Sequence, residues 1–287
     1  MSASIDVPAK ASSSSDTSSV SGSPPPQLDP STLALLNSFY QEQEQAEQKF
    51  RELEEKAHKR MVQAKGGSAG EGETGGGEEG HEGNGPDVQD DKMMSVDDFR
   101  KLFKEDWQLS QFWYSSSFAT QLCRFIRSFA IPTSRIAFLC CPTSYVAFQN
   151  QTPLPDVWLL EYDGRFGLLG DKFVHYDLEE PEKIPKNLWG TVDIAIADPP
   201  FLNEITNKHL SAGLKNLLKP DGKLILLTST SVSALPTIYA SPPLGPLNET
   251  SLQVSHEGGI ANEFRVWTSW KFEGEREGVT LVDDPVF

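Results

Sequence analysis

Apolar positions are spread unevenly along the chain, and the unevenness divides it. Residues 1–28 are rich in Ser, Pro and Ala, show no apolar period and are expected to be disordered. A helix is signalled next. Asp29 suits the N-cap, Pro30 the first helical position, and Ser31 and Thr32 follow. Leu36, Phe39, Ala46, Phe50, Leu53 and Ala57 recur at steps of three and four, with Gln43 interrupting the seam. Gln and Glu cover the other faces, so residues 29–65 read as an amphipathic helix whose stripe docks on a folded domain. Residues 66–92 form a Gly/Glu run with the composition of a flexible charged linker.

From residue 93 to 287 the pattern is that of one folded domain. Val96 to Phe103 reads as a short helix, followed by a cluster of Trp107, Phe112, Trp113, Tyr114 and Phe118, and then helix from Ala119 to Ala130. Strand-like apolar runs follow at Ile136–Cys141, Val157–Tyr162, Lys172–Tyr176, Val192–Ala197 and Lys223–Thr228. Helical stretches separate several of them, most clearly Asn203–Leu218, and this alternation predicts an α/β domain of parallel strands with helices on both faces. Lys219-Pro220-Asp221-Gly222-Lys223 reads as a helix stop and tight turn, and Phe264–Trp270 as a late antiparallel strand.

Composition narrows the classes of partner. Residues 1–92 carry 8 Lys and Arg against 17 Asp and Glu, and residues 93–287 carry 17 against 24. Neither part has the basic stripe that nucleic-acid binding needs, so no stable nucleic-acid partner is expected and a basic protein partner suits the charge better. Cys123, Cys140 and Cys141 make no metal-ligand spacing, and the five histidines form no ligand pair, so no metal is expected. No apolar run reaches membrane-spanning length and neither terminus carries a targeting or lipidation signal; a cytoplasmic, monomeric protein is the expectation.

The densest chemistry lies at Asp198-Pro199-Pro200-Phe201. Two prolines cannot continue a central strand, because neither donates to the ladder. The chain leaves the sheet there as a stiff turn offering a carboxylate, free carbonyls and an aromatic ring. That set suits a planar or cationic nitrogen presented to an electrophile; a rigid turn without chemistry is the plainer alternative. Ligands of such sheets bind beyond the carboxyl ends of the strands. Acids stand at the ends of the second, third and fourth strands. Glu161 and then Asp163 are the candidates for ribose hydroxyls, and Asp177 for an adenine amine. The first strand ends in Cys140-Cys141-Pro142-Thr143-Ser144, with no Gly-x-Gly, and places Cys141 and Thr143 as candidates there. Tyr114, with Phe112 and Trp113, reads either as core or as a lid over a cofactor. Asn262 and Glu263 could line a substrate channel or cap a strand start.

Leu33-Ala34-Leu35-Leu36-Asn37-Ser38-Phe39-Tyr40-Gln41-Glu42-Gln43, Trp107 to Tyr114, Leu160 to Phe166, Asp198 to Leu202 and Ala261 to Arg265 occur in that order. Together they resemble the eukaryotic lysine methyltransferases of translation elongation factor 1-alpha, a family first named as N6-adenine methyltransferases. The resemblance implies a seven-stranded Rossmann-like fold of the class I S-adenosylmethionine-dependent kind. It also implies S-adenosyl-L-methionine as cofactor and the elongation factor as protein substrate. Asp198, Pro199 and Phe201 then become the catalytic candidates. The carboxylate would capture and orient the amine, the Pro199 carbonyl would accept an amine hydrogen, and the Phe201 ring would pack on the lysine stem. Two other readings stand beside it. One is an N6-adenine methyltransferase of DNA or RNA, which shares the four-residue motif. The other is a non-catalytic scaffold, suggested by the unusual first-strand loop.

Overall fold

A computed structural model describes residues 29–66, 94–259 and 263–283. The expectations for residues 1–28, for nearly all of the 66–92 linker, and for Asn262 fall outside the described residues. The chain forms two compact units, Met1–Glu44 and Gln45–Phe287.

The first helix, α1, spans Pro30–Gly66. Asp29 caps it, its Oδ1 accepting from the Thr32 N–H at 3.0 Å. Within the larger unit Phe50 packs edge-on against Phe103, with centroids 6.1 Å apart, and Lys49 pairs with Asp98 at 3.0 Å. Two helices follow, α2 (Val96–Leu102) and α3 (Ser116–Arg127), each opened by a serine: Ser95 accepts from the Asp98 N–H and Ser115 from the Phe118 N–H.

The sheet then builds in the expected alternation. β1 (Ile136–Leu139) leads into α4 (Pro142–Gln151), and β2 (Val157–Glu161) into β3 (Phe173–His175). β4 (Val192–Ala197) leads into α5 (Glu204–Leu217) and β5 (Leu218–Ser229). A short α6 (Leu235–Ile238), β6 (Asn248–Glu249) and β7 (Phe264–Thr268) complete it. The strand order is β3-β2-β1-β4-β5-β7-β6. β1 to β5 run parallel, and β7 is antiparallel to both β5 and β6. This is the seven-stranded Rossmann-like arrangement that the resemblance implied.

Alternation along the strands splits the core. Ile136 and Phe138 enter one cluster with Phe99, Leu122 and Val146, from the side of α2, α3 and α4. Ala137 and Leu139 enter a second with Leu210, Leu214 and Leu235, from the side of α5 and α6. Both faces of β1 and β4 are buried, which is why these strands read as continuous apolar runs.

The sequence reading differs from the structure in two places. β5 starts at Leu218, directly after α5, rather than at Lys223. Val192 pairs with Leu218 and Ile194 with Lys223, so the Lys219–Gly222 turn is a bulge inside the strand, not a loop before it. β6 is two residues long and pairs with β7 at the edge of the sheet, too short to leave a period in the sequence.

Candidate active site

The chain runs outward from β1 to β3 on one side, then returns to β4 and β5 on the other, so strand order reverses between β1 and β4. Sheet register brings the strand ends level at that switch point. The Cys140 N–H donates to the Leu160 carbonyl (3.0 Å), the Asp198 N–H to Leu139 (3.1 Å) and the Tyr176 N–H to Glu161 (2.9 Å). Four segments far apart in sequence therefore meet at one edge. Above them lies a cavity of about 430 Å³.

The cavity's inner wall is the end of β4 and the turn after it. Asp198, Pro199, Pro200 and Phe201 all line it, and Asn203 then caps α5 by accepting from the Thr206 N–H at 2.8 Å. Pro199 is buried, whereas Phe201 is 50% exposed at the mouth, beside Ile205 at 67% and Tyr162 at 53%. Large apolar side chains so exposed and so grouped around one opening form a greasy rim.

The adjoining wall is the β1–α4 turn. Cys140 has φ of 58°, the left-handed conformation that the Gly-rich form of this loop would supply. The backbone therefore makes the tight turn without glycine, and Cys140, Cys141, Pro142 and Thr143 line the cavity. Pro142 occupies the first turn of α4. The Thr143 hydroxyl oxygen is buried without a hydrogen-bond partner. Burial, with Glu161 and Asp198 nearby, pushes both thiols well above their ordinary pKa, so neither is a thiolate nucleophile.

Glu161, at the end of β2, is 7% exposed. It accepts from the Tyr162 N–H at 3.0 Å and the Asp163 N–H at 3.4 Å. Burial outweighs these bonds and raises its pKa to about 7. Burial raises Asp198 to about 7 as well; the Tyr114 hydrogen bond opposes the rise and Glu161 adds to it. Two carboxyls with raised pKa thus share one cavity.

The other candidates divide. Asp177 lines the cavity, its Oδ1 accepting from the Glu179 N–H at 2.9 Å. Asp163 does not line it: its carboxylate holds Arg165 at 2.6 Å and Gln111 at 3.1 Å. Tyr114 lines the cavity from the roof, and its hydroxyl donates to Asp198 Oδ2. Trp113 is split: the residue lines the cavity but is only 4% exposed, and its indole packs on Phe99 and Phe166 and donates to the Phe103 carbonyl at 2.7 Å, so the ring is core. Glu263 is exposed and its backbone carbonyl accepts from the Thr230 N–H at 3.2 Å.

Sequence reasoning missed Tyr176, His209 and His256, all of which line the cavity. His256 lies tilted against Tyr114 with ring centroids 5.0 Å apart, and burial lowers its pKa to about 4. Nothing local marks it; long-range pairing of residues 255–257 with residues 113–115 brings it to the site.

Comparison with known proteins gives this geometry a family. A sequence model described as "Probable N6-adenine methyltransferase" matches residues 105–272. The "Protein-lysine N-methyltransferase EFM5" of Saccharomyces cerevisiae is 34% identical over 207 residues, which cover 64% of this chain and 82% of the relative. The "EEF1A lysine methyltransferase 1" of Mus musculus is 33% identical, covering 59% and 77%. The "Protein-lysine N-methyltransferase M142.8" of Caenorhabditis elegans is 33% identical, covering 58% and 79%. The match takes in the cavity's roof, all four strand ends and the Asp-Pro-Pro-Phe turn, and the chain belongs to this family, described as probable N6-adenine methyltransferases, while the three relatives above are named as lysine methyltransferases.

Proposed function

We propose that the protein transfers a methyl group from S-adenosyl-L-methionine to a lysine side chain of translation elongation factor 1-alpha. The observation that carries this is the pairing of Glu161 and Asp198, two poorly ionised carboxyls in one cavity at the switch point. The names of the relatives supply the substrate.

The cavity suits the cofactor by the chemistry of its walls. A buried acceptor at the end of β2, Glu161, matches a ribose diol. Asp177 at the next strand end matches an adenine amine. The unpartnered Thr143 hydroxyl and the first turn of α4 offer donors to a carboxylate. When bound, the cofactor supplies an electrophilic methyl on a cationic sulfur.

The chain's own groups act on the amine. A lysine of ordinary pKa costs about 4.6 kcal/mol to neutralise at pH 7. Asp198 receives the ammonium and fixes its direction, while the Pro199 carbonyl accepts a second hydrogen. Burial near a positive charge then favours loss of the proton. With that proton passed to water at the mouth, Asp198 and the Pro199 carbonyl would hold the free lone pair towards the methyl that a bound cofactor would supply. Phe201, Ile205 and Tyr162 at the mouth hold the lysine stem and its flanks.

We further propose that residues 93–287 are the methyltransferase domain, with residues 1–28 and 66–92 dispensable for chemistry, and that the protein works as a cytoplasmic monomer. Among the described residues no helix is long and apolar enough to cross a membrane. The test is labelled methyl transfer from the cofactor to purified elongation factor 1-alpha, and in parallel to single- and double-stranded nucleic acid, with Asp198→Ala as control. Label on a lysine of the factor is the expected result. Label on adenine would replace this reading with the one in the family's description.

A further inference from the structure

We propose that Tyr114 is the positioning residue for Asp198: its hydroxyl holds one carboxylate oxygen so that the other faces the incoming amine. This rests on the methyl-transfer reading above. Tyr114 Oη donates to Asp198 Oδ2 across the cavity. The ring is 1% exposed and cannot swing: Phe118 meets it edge-on at 4.9 Å and His256 lies against it at 5.0 Å.

Its backbone is fixed as firmly. Tyr114 bridges His256, while the Ser115 N–H donates to Ser255 at 2.8 Å and the Glu257 N–H to Trp113 at 3.0 Å. Arg100 donates to the Tyr114 carbonyl and pairs with Glu257 at 3.6 Å. A phenol so restrained spends its one donor on the one carboxylate that the chemistry needs.

The charges around the pair decide where the proton sits. Asp198 faces Tyr114 from the roof, Glu161 from the end of β2, and Cys140 and Cys141 from the β1–α4 turn. Burial and the Asp198 charge push the phenol well above its ordinary pKa, so it stays protonated and donates. His256, held neutral by burial, adds no charge. The bond from Tyr114 opposes burial and Glu161 and so helps to keep Asp198 ionised. Without it the carboxyl would hold its proton to higher pH and offer the ammonium no charge.

Tyr114→Phe keeps the ring and removes the bond, and it reads the role directly. In the full-length protein, kcat and kcat/KM for methyl transfer are followed from pH 6 to 9.5, with cofactor Kd and thermal midpoint measured alongside. The expected result is an acid limb of kcat/KM moved up by about one pH unit or more, the worth of a hydrogen bond to a charged group. The deficit is then about tenfold on the acid limb and shrinks above pH 9. Carbon-13 NMR of the labelled Asp198 carboxyl, with neither substrate nor cofactor present, shows the same upward move. An equal deficit at every pH, an unmoved carboxyl titration, or a loss confined to cofactor affinity would each overturn the proposal. An inactive parent protein would instead sink the methyl-transfer reading, and the carboxyl titration would still judge Tyr114.

Discussion

Glu161 makes the fold pH-sensitive in an unusual direction, and Glu161→Gln isolates the effect. In the unfolded chain this carboxyl loses its proton near its ordinary value of 4.5; in the folded protein it does so near 7. Between those values the folded state holds the extra proton, so stability is fully present below pH 4.5 and is lost as pH rises through 7. At 1.36 kcal/mol per pH unit the difference is about 3 kcal/mol. For a domain of this size that is roughly 6–12 °C in thermal midpoint. Gln keeps the shape and still accepts from the Tyr162 and Asp163 N–H groups, but carries no charge to bury. Melts of the parent and the variant from pH 4.5 to 8.5 are the assay. The variant should gain on the parent steadily, ending the more stable of the two at pH 8. Cofactor binding should show the reverse preference. A cationic ligand lowers the pKa of Glu161 and expels its proton, so parent affinity should rise with pH through 7 while the weaker variant's changes less. A stability difference between the two that is flat with pH would refute the reasoning.

Three further outcomes are expected. Asp198→Ala should lower turnover by more than tenfold while leaving the melting temperature unchanged or higher, since it removes a buried carboxyl; near-normal turnover would remove Asp198 from the mechanism. Gly213→Ala should cost about 1–3 kcal/mol by overpacking, because a Cβ there would stand 2.1 Å from the Tyr176 hydroxyl; urea unfolding measures it. Trp113→Ala should cost about 3–5 kcal/mol in stability, as expected for a core indole; normal cofactor affinity in whatever fraction remains folded would confirm that its ring is not a lid.

Much of the fold was legible because burial on both faces leaves a plain mark. Val192–Ala197 was read to the residue, and α5 to within one at each end. Lys219–Gly222 misled because Pro, Asp and Gly usually end a strand, and here tertiary pairing with β4 carries the strand through them. At the site, the level ends of β1, β2 and β4 follow from parallel register, so Asp198 and Glu161 could be found from strand ends alone. Asp163 could not be sorted from Glu161 without knowing that Arg165 and Gln111 occupy it. The missing Gly-x-Gly suggested a defective loop, because left-handed backbone is normally announced by glycine; Cys140 adopts it unannounced. His256 and Tyr176 reach the cavity through long-range pairing, which no local window contains.

Two of the rim residues, Phe201 and Ile205, and the groups on the opposite wall hang on different parts of the sheet. Phe201 and Ile205 follow β4, while Glu161 and Thr143 belong to β2 and the β1–α4 turn. Changes at the Phe201 ring or at Ile205 would alter which protein surface docks while leaving Glu161 and Thr143 in place. A lineage could therefore exchange one substrate for another by a few substitutions at the mouth, with the groups of the opposite wall carried over intact.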